Sequence, residues 1–338
     1  MSAEPTAPPQ MAIFQMMNGL WVSQIASAVA QLAVPDAIAA GKSDVDALAA
    51  ECHADPAALH RLLRAAATLG LVQETAPRTF ALTPMGETLR TGVPGSMRDI
   101  LIAETAPGHW LPWGKLVDAV RSGKPTTQAT LGMSGWEYYA ANPEEGQCFA
   151  RGMGNLSAVA VQEVSAVYNV GDARTVVDVG GSEGVLLRGL LRGAPNAQGI
   201  LFDRPEIIEY AKQNIDPEFA GRMQFVGGDF FKEVPGGGDV YTLKHILHDW
   251  SDDECAAILK NVHRAAKDGS RLVLVEFIMP DDGRPSPVTL MDINMMVMVG
   301  GRERTADEFR SMLAACGYEV ERILPTSGMF HVIEARRV

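Results

Sequence analysis

An imidazole, several carboxylates and a glycine-rich turn stand in this chain at the ends of short apolar runs, where an open parallel sheet gathers the groups that meet a ligand. They are Asp178 with Gly180, Gly181 and Gly184, then Asp203, Asp229, the stretch from Lys244 to Asp249, and Glu276. His248 falls in a turn between one apolar run and the capping box Ser251-Asp252-Asp253-Glu254, outside any packed helix interior. An imidazole with an ordinary pKa near 6.5 can accept a phenolic proton as the oxygen attacks a methyl group. Glu276 is the first candidate to hold that ring in the right tautomer, and Glu303 in Gly300-Gly301-Arg302-Glu303-Arg304 is the second. The plainer use of His248 is a hydrogen bond at a helix terminus. His245 and His248, three residues apart beside Asp249, also have a spacing that metal ligands use. That spacing alone does not specify a site, and no metal is assigned.

The glycine turn narrows the ligand. Thr175-Val176-Val177-Asp178-Val179 is a β-branched run suited to a buried strand, and Val185-Leu186-Leu187-Arg188-Gly189-Leu190-Leu191 is apolar at helical spacing. Strand, glycine turn and helix form the first half of a nucleotide-binding unit. A dinucleotide fingerprint needs three glycines as G-x-G-x-x-G, but from Gly180 onward those positions hold Gly180, Ser182 and Val185. Asp203 ends the next strand, 19 residues past Gly184, where a carboxylate accepts from both hydroxyls of a ribose. A ribose without a pyrophosphate points to S-adenosylmethionine. An ordinary α/β turn with no cofactor is the competing reading.

Regular β/α alternation from about residue 175 to the C-terminus supplies the positioning elements. Strands are expected near residues 175–179, 199–202, 223–226, 239–243 and 271–277, with capping boxes at Ser251 and Thr305 opening helices. Two last strands, near 318–324 and 330–335, are too close for a crossover and should pair antiparallel at the sheet edge. The 338 residues suggest two domains, divided here into 1–97 and 98–338.

Ahead of this half, residues 1–10 read as disordered, and residues 11–40 carry only one charge, Asp36. Ile13, Phe14, Met16, Met17, Leu20, Trp21, Val22, Ile25, Val29 and Leu32 exceed one amphipathic stripe, so a dimer interface is the expected cover, with burial inside the monomer as the alternative. Ser43 should cap a helix to Ala50, and Asp55-Pro56 starts another, followed by a hairpin around Pro77-Arg78. Helix, helix, hairpin is a winged-helix arrangement. It offers only His60, Arg61 and Arg64 for DNA on a chain of net charge −12, which favours a scaffolding role over nucleic acid or an anionic membrane. Residues 98–165 are helical and rich in aromatic and sulfur side chains, mostly core, though a pocket for a flat aromatic ligand would use the same palette. No apolar run reaches membrane-span length, no secretory n-region opens the chain, and Cys52, Cys148, Cys255 and Cys316 are unpaired in spacing, which suits a cytoplasmic protein.

Taken together, Val177-Asp178-Val179-Gly180-Gly181, Phe202-Asp203-Arg204-Pro205, Gly228-Asp229-Phe230-Phe231, Leu243-Lys244-His245-Ile246-Leu247-His248-Asp249-Trp250-Ser251-Asp252 and Gly300-Gly301-Arg302-Glu303-Arg304-Thr305 resemble the S-adenosylmethionine-dependent O-methyltransferases of the plant caffeate/acetylserotonin type. The resemblance covers essentially the whole chain. It implies a Rossmann-like class I methyltransferase sheet behind an N-terminal helical, winged-helix dimerisation domain, a homodimer through the N-terminal helices, and an aromatic natural-product acceptor. It further implies that Gly180, Gly181 and Gly184 approach the methionine part of the cofactor, that Asp203 binds the ribose, that Asp229 and Phe230 bracket the adenine and that Lys244 lines the site, beside Asp178. His248 resembles the family's general base, flanked by Glu276 and Glu303. Phe149 and Met153 resemble the helix that meets substrate and cofactor, and Asn294 and Met298 stand where substrate-facing residues do. Ser182 and Glu183 depart from the plant pattern, which usually has a third glycine there. Transfer to nitrogen or carbon, a non-methylating reaction on the same fold, and a ligand-sensing DNA-binding protein are the competing functions.

Overall fold

The computed structural model describes residues 8–338, so most of the segment expected to be disordered lies outside the described residues; Pro9 and Gln10 already belong to the first helix. The chain divides into two compact units. One comprises the residues up to Trp110 with Tyr138–Asn155, and the other comprises Leu111–Glu137 with Leu156–Val338. The division is not a single cut after residue 97, because the chain leaves the first unit, returns to it, and leaves again along one helix.

In the first unit, α1 (Pro9–Gln31) starts with proline at its first turn, where no amide hydrogen is needed. It is followed by α2 (Val34–Ala39), α3 (Val45–Glu51), α4 (Pro56–Thr68) and the antiparallel hairpin β1 (Val72–Ala76) and β2 (Thr79–Leu82). The helix–helix–wing order expected from sequence is present. One cap moves: Asp44, not Ser43, caps α3, accepting from the Asp46 and Ala47 amides. Ser43 cannot cap because its carbonyl accepts from Phe80 N and its stretch runs beside the wing. Val29, Leu48, Leu59, Leu63 and Phe80 form the core of this unit. Only the C-terminal part of α1 joins it. Met11, Ile13, Phe14, Met16, Met17, Leu20, Trp21 and Val22 are exposed along the rest.

Short helices follow: α5 (Pro84–Glu87), α6 (Arg98–Glu104), α7 (Pro107–Trp113), α8 (Leu116–Ser122), α9 (Thr127–Leu131) and α10 (Gly135–Ala141), then the long α11 (Pro143–Val167). Gly152 of α11 is required by packing within the first unit, since a Cβ there would lie 2.5 Å from the Ile100 amide nitrogen of α6. Among the described residues no helix is long and apolar enough to cross a membrane.

The second unit holds a seven-stranded sheet of order β5-β4-β3-β6-β7-β9-β8. Its strands are β3 (Thr175–Val179), β4 (Gln198–Asp203), β5 (Met223–Gly227), β6 (Val240–Lys244), β7 (Arg271–Phe277), β8 (Tyr318–Pro325) and β9 (Phe330–Arg337). The helices are α12 (Val185–Arg192), α13 (Pro205–Gln213), α14 (Asp252–Ala265), α15 (Val288–Met298) and α16 (Ala306–Ala315). The five strands from β3 to β7 are parallel, and β9 pairs antiparallel with both β7 and β8, the edge hairpin expected from the short connection. Both faces of the sheet are covered: α12 buries Leu186, Leu187, Leu190 and Leu191 on one core, and α14 buries Ile258, Leu259 and Val262 on the other. Each such leucine is worth roughly 1.5–3 kcal/mol relative to exposure. Strand order reverses between β3 and β6, so their carboxyl ends open the crevice in which such sheets bind ligands.

Candidate active site

His248 is placed by the exit of β6. After Lys244 the backbone reverses at His245, whose φ of 52° lies in the left-handed region, and a 3-10 turn over Leu247–Asp249 leads into the capping box that starts α14. The His248 imidazole is buried, with Nδ1 2.9 Å from Glu303 Oε1 and Nε2 3.5 Å from Asp249 Oδ1. An ionised carboxylate only accepts, so Nδ1–H donates to Glu303 and Nε2 carries the lone pair of the neutral ring. This corrects the first choice made from sequence. Glu276, fully buried on β7, lies beneath the turn and not at the ring's Nδ1, and its Oε1 accepts from the amides of Ile246 and Leu247 at 3.2 and 3.0 Å.

Two residues that the sequence reading left unexplained bring Glu303 there. A Cβ on Gly301 would meet the carbonyl oxygen of His248 and lie 2.6 Å from the carbonyl carbon of Asp249, so only glycine lets the 300–304 loop approach the turn. Arg304, fully buried, donates to the carbonyls of Leu247 (2.7 Å) and Trp250 (2.8 Å), on either side of His248, and to Asp252 Oδ1. Asp292 of α15 accepts the Glu303 amide at 2.9 Å. A sequence signal existed for Gly301, in the Gly-Gly pair, but a buried arginine has none.

Burial works against a charge on His248, yet Asp249, Glu303 and Glu276 outweigh it and raise its pKa to about 9. Burial, with the nearby Glu303 charge, raises Glu276 to about 7 against the opposing pull of His248 and the two amides, and burial holds His245 well below the ordinary histidine value. His245 stacks on His248 with centroids 4.4 Å apart and 29° between the planes. His245, His248 and Glu276 offer ligand atoms within 4.8 Å of one another. Imidazole lone pairs lie in the ring planes, and two stacked rings do not aim them at one point, so this group is not shaped to hold a metal.

The crevice between β3 and β6 carries the other strand-end groups. Asp178 is buried, accepts from Thr242 Oγ1 at 2.7 Å across the β3–β6 ladder, and keeps Oδ2 without a partner among the described residues; burial raises its pKa to about 6. Gly181 has no room for a Cβ, which would lie 2.5 Å from Leu201 Cδ1 and 2.6 Å from Asp178 Oδ2. Gly180 and Gly184 have φ of 69° and 73°. Asp203 at the end of β4 accepts from Ser182 N at 2.8 Å and from Arg204 N at 2.7 Å, and burial raises its pKa. Ser182, the departure noted above, has φ of 53°, so a glycine-like turn is kept at some backbone cost, and its amide fixes Asp203. Asp229 accepts from Phe231 N at 2.9 Å, Phe230 stands edge-on to Trp250, and burial lowers the pKa of Lys244.

The substrate candidates are not all alike. Asn294 accepts from Trp113 Nε1 at 2.8 Å, while Met298 is buried in an apolar cluster with Ala119 and Val297 and acts there as core. Phe149 and Met153 belong to the first unit, on α11. Phe149 stacks on Tyr139 at 4.8 Å, and Tyr139 OH is 2.9 Å from Nδ1 of His109, whose pKa burial lowers to about 4.

Residues 113–319 match the O-methyltransferase domain and residues 14–92 the O-methyltransferase dimerisation domain. The chain is 36% identical over 327 residues to the phenazine O-methyltransferase of Lysobacter antibioticus, covering 96% of each. It is 33% identical to the mitomycin biosynthesis 6-O-methyltransferase of Streptomyces lavendulae, covering 95% of this chain and 93% of that one. The crystal structure of human N-acetylserotonin methyltransferase in complex with its cofactor superposes with a TM-score of 0.90 at 26% identity, covering 99% of both chains. The switch-point crevice, the glycine turn and the histidine–carboxylate pair thus sit in a chain that belongs to the O-methyltransferase family.

Proposed function

We propose that this O-methyltransferase moves a methyl group from S-adenosylmethionine to a hydroxyl of an aromatic small molecule, with His248 as general base. The observation that carries the reading is the 2.9 Å contact between His248 Nδ1 and Glu303, which leaves Nε2 as the proton-accepting atom. The residues of the crevice fit the cofactor. Each oxygen of Asp203 holds one backbone N–H and keeps a lone pair for a ribose hydroxyl. Gly180, Gly181 and Gly184 would lie along its methionine part, Asp229 and Phe230 would bracket its base, and Lys244 and Asp178 would line its floor. The bound cofactor supplies an electrophilic methyl on a sulfonium. The chain's part is to hold the acceptor oxygen in line, take its proton at Nε2 of His248, and stabilise the imidazolium through Glu303. Within the second unit Asn294 is the proposed contact to the acceptor, a role the packing of Met298 does not favour.

Purified protein given S-adenosylmethionine and a panel of phenols should release S-adenosylhomocysteine with at least one of them. Release only with aromatic amines would replace the hydroxyl acceptor by a nitrogen one. Asp203→Ala is expected to weaken cofactor binding while leaving the fold intact. It removes one or two charge-assisted hydrogen bonds, worth roughly 1.5–3 kcal/mol each. Wild-type affinity in a calorimetric titration would sink the ribose assignment.

The same reading makes the chain a homodimer joined through α1, whose exposed apolar row is otherwise left to water. Light scattering at micromolar concentration should give twice the chain's 36.3 kDa, and Trp21→Glu should shift the mass toward a monomer. A monomeric wild type would rule this interface out.

A further inference from the structure

We propose that His245 is a positioning residue for methyl transfer: its neutral ring lies over the His248 imidazole and fixes the plane in which the base presents Nε2. The inference rests on the reading of His248 as general base. Glu303 holds one edge of that ring by a single hydrogen bond and Asp249 stands 3.5 Å from Nε2 at the other, but two in-plane contacts at the edges leave the tilt of the ring to whatever packs on its face. The face is held by His245, 4.4 Å away and tilted by 29°. His245 is itself wedged, edge-on to Phe277 at 4.6 Å and against Phe330 at 4.7 Å, and these two rings touch each other at 4.8 Å. Phe277 ends β7 and Phe330 begins β9, neighbouring strands of the sheet, so the wedge is anchored in the core.

The backbone supports the same reading. His245 is one of few non-glycine residues with positive φ, a conformation that costs free energy and that persists where surrounding structure demands it. That reversal turns the amides of Ile246 and Leu247 onto Glu276 and carries His248 toward Glu303. The charges that act on His248 are those of Asp249, Glu303 and Glu276; Lys244 acts on Asp249 and His245, and the Arg304 guanidinium is held on the carbonyls of Leu247 and Trp250. A neutral aromatic ring adds no second positive charge beside the imidazolium that forms, which lysine or arginine at the same place would do. Nε2 of His245 has no partner among the described residues, so the packing uses the ring and leaves the nitrogen idle.

The test compares His245→Asn, which tolerates the left-handed backbone but removes the ring, with His245→Phe, which keeps a ring and removes the nitrogens. Each is assayed on a weakly acidic phenol and on one acidic enough to arrive as phenolate, beside His248→Ala. His245→Asn should lower kcat on the weakly acidic phenol about tenfold, with KM for both substrates near wild type, and should cost little on the phenolate. His245→Phe should stay within about threefold on both. An equal loss on the two phenols would mean general structural damage and overturn the proposal, as would wild-type rates for His245→Asn. A loss for His245→Phe as large as for His245→Asn, in protein that unfolds at the wild-type temperature, would assign the role to the nitrogens instead. If His245→Phe does not fold, the two phenols on His245→Asn decide alone. If His248→Ala itself shows no dependence on phenol acidity, the general-base reading fails first, and that failure is seen in a different protein.

Discussion

Replacing His248 with alanine should lower kcat by about 10²–10⁴ on a weakly acidic phenol, the usual worth of a positioned proton transfer. Cofactor affinity should hardly change, because Asp203, Asp229 and the glycine turn keep their own partners. The pH profile sharpens the expectation. A base works when deprotonated, so a raised pKa delays the rise in rate. Burial disfavours the His248 cation, but Asp249, Glu303 and Glu276 together raise its pKa to about 9, so the rising limb belongs above the ordinary histidine value of about 6.5. Any positive charge bound beside the ring favours its neutral form and draws the limb downward. The limb should therefore fall between these two values and vanish in His248→Ala. On a phenol that arrives as phenolate both effects shrink, leaving positioning alone. A loss smaller than tenfold on the weakly acidic phenol would remove His248 from the mechanism. Glu303→Gln should lie between the two proteins, since an amide can still accept from Nδ1–H but cannot balance an imidazolium.

The second large effect is expected at a residue with no side chain. Gly301→Ala puts a methyl group against backbone atoms of His248 and Asp249, which cannot yield without moving the turn or the loop. Forced overpacking of this kind costs roughly 1–3 kcal/mol. Here it also separates Glu303 from the imidazole, so kcat should fall about a hundredfold, more than the stability loss alone would explain. Denaturant unfolding and single-substrate kinetics on the same preparation measure both. Wild-type activity with wild-type stability would mean that the loop sits farther from the turn in solution.

What could be read from sequence was what local chemistry determines. The two capping boxes start α14 and α16 at Ser251 and Thr305, because cap and third residue are close in the chain. The order of strands and helices, and the groups at strand ends, follow from β-branched runs and from the rule for open sheets. The partner of His248 was not legible in this way. Glu276 and Glu303 lie 28 and 55 residues away, and the choice between them depends on how closely the 300–304 loop approaches the turn. Arg304 was hidden for a related reason: its type predicts exposure, and the carbonyls flanking His248 together with Asp252 explain its burial. Likewise, Met298 faces core because of packing against α8, which no spacing in α15 reveals.

The two amides that hold Asp203 have a consequence for how a ligand is met. Its carboxylate is oriented by Ser182 N and Arg204 N without help from any bound molecule, so the entropy of ordering that side chain is lost during folding and not during binding. A sugar diol reaching this strand end would find a preorganised acceptor pair, and its affinity would be reduced only by the ordering of the ligand itself. The left-handed backbone at Ser182 is then the place where the cost of that readiness is kept, inside the resting protein.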